Sequence, residues 1–316
     1  MQVLTEFDEQ GIATGLERDE FFWLDLHAPS PEEFERVGDM LGLHEMAMED
    51  TREFGQRPKV DVYESHVLIV FYTARINRSP GPPVATPLEV HVYVSGEFVL
   101  TVRQEECDLL DDLHDALLPA GTEAEDYLVY RIFDTLTDAW YPAINAIETQ
   151  VDRLEGDVFE RTRREQLSEI YRLRQEVREH HRLMGEQRDR FPPAEEAIRN
   201  LAGLTRGAKE YLRDVGDHLA QVTGELHRQY EDLMSLAQTY FNANADRLNG
   251  TATRLTVVGT LFVTWTLITG FFGQNFAWLV RNVSTKHDFV LFGVGGLVVP
   301  TVVLGTLFWV KRHDWF

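Results

Sequence analysis

Apolar residues change their spacing along this chain, and each change marks a boundary. Up to about residue 120 the rhythm is alternation. FFWLDL reads as a short strand; Val90, Val92 and Val94 alternate with other residues, Ser95-Gly96 turns the chain, and Phe98, Leu100 and Val102 alternate again. With VDVYESHVLIVFYTARI before them, these stretches predict a sheet with antiparallel pairing. Ser30, Pro31 and Glu33 make a capping-box pattern with proline at the first helical position, which predicts a helix over 31–41. The proline-rich RSPGPPVATP reads as a surface loop. Residues 1–122 are therefore expected to form an α/β domain.

From about Asp126 the spacing is helical. Ile144, Ile147, Val151, Leu154 and Val158 recur in steps of three and four, the mark of a long amphipathic helix. The charged ERTRREQ is expected to turn it into a second helix through Ile170, Leu173 and Val177, which Phe191-Pro192-Pro193 ends. These make a helical hairpin region, 123–205. A third helix, beginning near Leu204, carries a seam of Leu212, Val215, Leu219, Val222 and Leu226 and forms a stalk over 206–254.

Charge then disappears. Neither 255–272 nor 289–310 contains a charged residue, and each run is long enough to cross about 30 Å of hydrocarbon as a helix. The chain is expected to be an α+β membrane protein with spans at 255–272 and 289–310, an external loop at 273–288 and a basic tail at 311–316. If stalk and first span are continuous, one helix of about 67 residues reaches roughly 100 Å. Arg247 and Arg254 precede the first span, and Lys311 and Arg312 follow the second, which places both termini in the cytoplasm of a cell-membrane protein. The opening MQVLTEFDEQ lacks the pattern of a secretory signal.

Composition narrows the function. With 30 basic and 52 acidic residues the formal net charge is -22, so the surface repels phosphates, excludes nucleic acid as a partner and gathers cations. No Gly-rich phosphate loop, nucleophile elbow or metalloprotease His pair occurs, and no enzymatic activity is expected. The single cysteine, Cys107, cannot form an intrachain disulfide and reads as a packing residue. Eleven histidines show no metal-ligand spacing; His44, His180 and His181 read as solvated helix residues.

The first apolar run carries a stripe. Steps of three and four from Asn249 meet Ala252, Thr256, Gly259, Val263, Thr266, Gly270 and Gly273, nearly all small or polar. Leu255, Val258, Leu261, Phe262, Trp265, Leu267, Ile268, Phe271 and Phe272 fill the remaining faces. Such a stripe serves close helix packing or a water-filled path, and the amides of Asn249 and Asn275 at its two ends favour the path.

Gly273-Gln274-Asn275-Phe276, closing the first of two C-terminal spans, resembles the Gly-Met-Asn signature of CorA-type divalent-metal transporters. The likeness extends through WLDL, LHEMAMED, RPKVDVYESHVLIV, YLRDVGDHL and Asn249 to Thr256, nearly the whole chain. The resemblance implies a homopentameric funnel in the lipid bilayer, with a pore lined by Asn249, Ala252, Thr256, Gly259, Val263, Thr266 and Gly270. It implies a selectivity filter of Gly273, Gln274 and Asn275, in which Gly273 supplies backbone geometry that a Cβ would resist and Asn275 meets the water shell of the ion. Mg2+, or Co2+ or Ni2+, is the implied cargo, with no cofactor beyond the divalent cation itself. Asp214 in YLRDVGDHL falls where the family places a carboxylate of a regulatory divalent-metal site.

The sequence departs from the family pattern at Gln274, where Met is usual, and at Thr264, where proline is common. Its loop carries Arg281 and Lys286 against Asp288, where related loops are often acidic. These departures bear on selectivity, and the eleven histidines, as possible ligands, leave open a proton-coupled zinc transporter of the related ZntB type. A more distant alternative is a non-transporting membrane scaffold.

Overall fold

The computed structural model describes residues 2–77, 84–117, 125–204, 208–274, 277–282 and 284–315. Their contacts divide the chain into Met1–Ala237 and Gln238–Phe316. The first unit is built on a six-stranded sheet of β1 (Gln2–Leu4), β2 (Phe22–His27), β3 (Lys59–Val62), β4 (His66–Asn77), β5 (Val84–Ser95) and β6 (Phe98–Arg103), in the order β1-β2-β6-β5-β4-β3. Its helices are α1 (Glu9–Glu17), α2 (Pro31–Leu41), α3 (Glu45–Arg52), α4 (Asp108–Leu117), α5 (Glu125–Asp138), α6 (Trp140–Glu160), α7 (Arg164–Asn200) and the first part of α8 (Ala208–Phe272).

Helix α2 starts where its local chemistry dictates. Glu33 N–H donates to Ser30 Oγ at 3.2 Å, Ser30 N–H donates to the Glu33 carboxylate at 2.8 Å, and Gly42 in the left-handed region closes the other end.

The pairing of β3 through β6 is antiparallel, as expected, but β2 joins β6 and β1 in parallel, so the sheet is mixed. The crossover through α1 imposes the parallel β1–β2 pairing, and a three-residue strand is too short to show alternation. Val94 lies opposite Val99, which puts Val90, Val92 and Val94 on the face opposite to Phe98, Leu100 and Val102. Both sets are buried because helices cover both faces. Phe22, Leu24, Leu100 and Val102 pack with Ile12 of α1, Phe34 and Val37 of α2 and Met48 of α3. On the opposite face Phe71 meets Phe133 at 5.2 Å between ring centroids, and Phe133 meets Phe191 at 5.8 Å.

Two expectations are corrected. Arg78–Pro83 of the proline-rich segment lie outside the described residues, but Val84–Pro87 continue β5, with Pro87 opposite Ala74. Strand β6 pairs with β5 only as far as Val90, so Pro87 needs no donor on that side. Helix α7 also runs through Pro192 and Pro193 to Asn200. Two internal prolines cost about 6 kcal/mol, and burying Phe191 and Ile198, each stabilising by about 1.5–3 kcal/mol, offsets most of it.

One side chain completes the sheet. Beyond Val70 no strand among the described residues lies beside the outer edge of β4, and Gln187 of α7 takes the place of a peptide group. Its Oε1 accepts from Tyr72 N–H at 2.6 Å and its Nε2 donates to Tyr72 C=O at 3.1 Å.

Helix α8 is 65 residues long, about 100 Å at 1.5 Å per residue, and Leu212, Val215, Leu219, Val222 and Leu226 are fully buried. The second unit holds the C-terminal part of α8, then α9 (Ala277–Asn282), α10 (Lys286–Asp288), a π-helical segment (Phe289–Val294) and α11 (Gly295–Trp315). Trp265 Nε1 of α8 donates to Thr301 Oγ1 of α11 at 2.8 Å. Helices α8 and α10–α11 contain stretches long and apolar enough to cross a membrane. Leu255 is 74% exposed, Leu267 72% and Trp309 65%, so these helices are not the buried core of a soluble fold.

Candidate functional site

Around the apolar part of α8, two faces differ. Val257, Leu261, Thr264 and Ile268 lie on a partly covered face, whereas Asn249, Ala252, Thr256, Gly259, Val263, Thr266 and Gly270 are all exposed in the single chain. At 3.6 residues per turn the centres of these faces are roughly 140° apart. Covering one face therefore leaves the small, polar one free.

The hydroxyls on the free face have a fixed polarity. Thr256 Oγ1 donates to Ala252 C=O at 2.9 Å and Thr266 Oγ1 donates to Phe262 C=O at 2.7 Å. Their protons are committed to their own helix, so outward they offer lone pairs. Nothing lies within 4 Å of a Cβ built on Gly259 or Gly270, and the stripe carries no carboxylate. A surface of neutral acceptors with open space beside it suits the donor hydrogens of a hydrated cation.

At the end of α8, Gly273 N–H donates to Thr269 C=O at 2.9 Å and Gln274 N–H to Phe271 C=O at 3.3 Å. Gly273 is not among the residues with positive φ. The expected need for special backbone geometry is replaced by close approach: a Cβ would stand 3.1 Å from the Thr269 carbonyl oxygen. Asn275 and Phe276 lie outside the described residues. In the following loop Asp288 caps α10, accepting from Thr285 Oγ1 at 2.6 Å and Thr285 N–H at 3.1 Å.

A second cluster surrounds Asp214. Tyr130 Oη of α5 donates to Asp214 Oδ2 at 3.3 Å, and His218 Nε2, one turn along α8, lies 3.8 Å from the same oxygen. His218 Nδ1 is 3.1 Å from Asp134 and 3.9 Å from Asp138, both on α5. One ligand atom from each of Asp134, Asp138 and His218 fits within 4.8 Å of the others, close enough to share a cation. Burial and then the neighbouring Asp134 raise the Asp138 carboxyl above its usual range, the electrostatic strain that a bound cation relieves. The sequence offered a signal for this cluster that was not used: Asp134 with Asp138, and Asp214 with His218, are pairs four residues apart on one helix face.

Another buried group has its cation built in. Asp25 of WLDL accepts from Arg103 Nε at 3.1 Å and Nη2 at 3.0 Å and from Thr101 Oγ1, which in turn accepts from Trp23 Nε1 at 3.0 Å. Arg103 Nη2 also reaches Asp111 at 2.5 Å.

The histidines need correction. His180 is buried against Trp140, ring centroids 5.5 Å apart, because it lies on the face of α7 that meets α6. His44 is not inside a helix but caps α3, its Nδ1 accepting from Met46 N–H at 3.2 Å. His181 is half-buried. Cys107 is buried, as expected, and burial pushes its thiol pKa up.

A sheet-based unit followed by two apolar helices, the first bearing a neutral polar stripe, defines a membrane protein with its spans at the C-terminus. The chain belongs to the family of the CorA-like Mg2+ transporter protein, whose model matches residues 18–312. It is 25% identical over 301 residues to a putative metal ion transporter, YfjQ, of Bacillus subtilis, covering 94% of this chain and 90% of that one. It is 24% identical over 291 residues to the cobalt/magnesium transport protein CorA of Thermotoga maritima, covering 89% and 79%. Its fold matches the complete structure of the CorA magnesium transporter from Methanocaldococcus jannaschii with a TM-score of 0.75 at 20% identity, over 93% of this chain and 91% of that one.

Proposed function

We propose that this chain is one subunit of a homopentameric divalent-cation transporter of the cell membrane, passing hydrated Mg2+, and Co2+ or Ni2+ of similar hydration, along the exposed stripe of α8. The observation that carries the reading is the polarity of that stripe. Mg2+ gives up its octahedral water shell reluctantly, so a path that accepts hydrogen bonds from those waters need not strip it. Thr256 and Thr266 point lone pairs outward, and the absence of carboxylates avoids a well too deep for release. A ring of Asn275 side chains at the outer mouth selects the hydrated ion through its amide oxygens, with Gln274 adding a longer acceptor. A potential of 100 mV supplies about 4.6 kcal/mol to a doubly charged ion. Asp214, with Asp134, Asp138 and His218, forms a regulatory divalent-metal site that responds to metal on the cytoplasmic side.

Flux into vesicles reconstituted with the full-length protein tests the reading. Asn275→Ala and Gly273→Ala should lose Mg2+ transport while remaining oligomeric; Gln274→Met should transport with an altered preference among Mg2+, Co2+, Ni2+ and Zn2+. Asp214→Asn should weaken inhibition by internal Mg2+. Full activity in Asn275→Ala would remove the residue from the filter. Zn2+ flux that requires a pH gradient, without Mg2+ flux, would favour the zinc transporter instead.

A further inference from the structure

Tryptophan gathers at membrane interfaces, where its indole N–H stays wet, yet Trp265 stands near the middle of the apolar run 255–272. An indole N–H at that depth needs a protein acceptor. It finds one on the other span: Nε1 donates to Thr301 Oγ1 at 2.8 Å, near the middle of the run 289–310. The Thr301 proton is spent on Leu297 C=O at 2.7 Å, so its oxygen faces the indole as an acceptor. Phe262, one turn before Trp265, meets the indole edge-on at 5.9 Å and 73° and holds the ring. We propose that Trp265 and Thr301 are a positioning pair for transport: their bond fixes the rotation of α8 about its own axis and so sets the direction in which the small, polar stripe faces.

At about 100° per residue, Trp265 projects roughly 150° from the centre of the stripe. A bond at the back of the helix decides where its front points. Apolar side chains alone decide this weakly, because lipid tails are as apolar as they are. A turn of α8 by one residue, about 100°, puts Leu255 and Phe262 where Thr256 and Gly259 stood. The second span needs the bond as well. Its segment Phe289–Val294 is π-helical, and Pro300 has no N–H to give the Gly296 carbonyl, so its backbone ladder is irregular. Thr301 follows that proline, and its hydroxyl adds a bond to Leu297 C=O beside the one the proline removes. The inference rests on the reading of the stripe as the transport path.

Full-length protein in vesicles tests the pair by two readouts. The first is Mg2+ flux with Gly259 intact. The second is the rate at which a hydrophilic methanethiosulfonate, which needs water at the thiol, modifies Gly259→Cys on the stripe, where a Cβ meets open space. Cys107 is buried and gives a silent background. Thr301→Val keeps the shape and loses the acceptor, and Trp265→Phe keeps a ring and loses the donor. Each should lower both readouts about threefold, the factor that a hydrogen bond between spans contributes. The double variant should fall no further, and Thr301→Ser, which keeps the oxygen, should retain both. Losses that multiply in the double variant, or a labelling rate unchanged in Thr301→Val, would overturn the pair. A labelling rate that falls in Thr301→Val, in a protein that carries no Mg2+, would sink the transport reading and leave the pair standing. A thiol silent in every variant would overturn the pair whatever the flux.

Discussion

Two buried histidines give the first unit a pH dependence. His66 and His180 are almost wholly buried, and burial, assisted at His66 by His44 and opposed at His180 by Glu179, lowers each pKa from the ordinary 6.5 to about 4. Between these values the unfolded chain binds protons that the folded chain refuses. Their stabilising effect is therefore complete above pH 6.5 and is lost as pH falls toward 4. At about 1.4 kcal/mol per pKa unit, each contributes on the order of a few kcal/mol across that window. Urea denaturation monitored through the first unit should show stability falling between about pH 7 and about pH 5. In His180→Gln the fall should be shallower, and an identical slope would remove His180 as its source. Residue-level legibility follows chain distance. The Ser30 cap needs only its neighbours and was readable; His180 looks solvated because Trp140, which covers it, comes from another helix. The same distance hides the setting of Asp25, whose partners Thr101 and Arg103 sit on a strand far along the chain.

Elements were legible where their ends are made locally and hidden where packing decides. Both ends of α2 agree with its sequence pattern, and the seam of α8 is buried throughout. The end of α7 was misplaced because the prolines are local while the burial that offsets them is not. The stripe on α8 was readable as a spacing, but its polarity was not, since the direction in which a threonine hydroxyl spends its proton depends on helix geometry. That polarity makes a prediction. Thr256→Val and Thr266→Val remove outward lone pairs while keeping side-chain shape, and the lost bonds to Ala252 and Phe262 carbonyls are extra to the helix. Each should cut Mg2+ flux by about tenfold or more, the loss of one hydrogen bond of about 1.4 kcal/mol in passage. Thr264→Val on the partly covered face should retain flux. Equal flux in all three would return the stripe to a packing role.

For the molecule as a whole, orientation rests on a thin margin. Arg247, Arg254, Lys311 and Arg312 flank the two spans on one side, and Arg281 and Lys286 lie in the loop between them. Four basic residues against two favour the flanks as the cytoplasmic side, but Arg281 and Lys286 would retard cations at the mouth unless something offsets them, and Asp288 is occupied in capping α10. A transporter that takes cations up through this loop therefore gains little attraction from it. The charge that gathers cations lies before the first span, where 50 acidic residues stand against 26 basic ones, while the rest of the chain has four basic against two acidic. Placing that acidic unit in the cytoplasm lets the membrane potential pull divalent ions toward it. Placing it outside would gather cations at the wrong end of the gradient for uptake. Cysteine labelling separates the two arrangements. Cys107 is 6% exposed and should stay silent toward an impermeant maleimide in the folded protein. Ser284→Cys, exposed in the loop, should label in intact cells, whereas Glu17→Cys, exposed at the end of α1, should label only after permeabilisation. The opposite pattern would turn the protein over in the membrane, and with it the proposal that the Asp214 cluster reads metal on the cytoplasmic side.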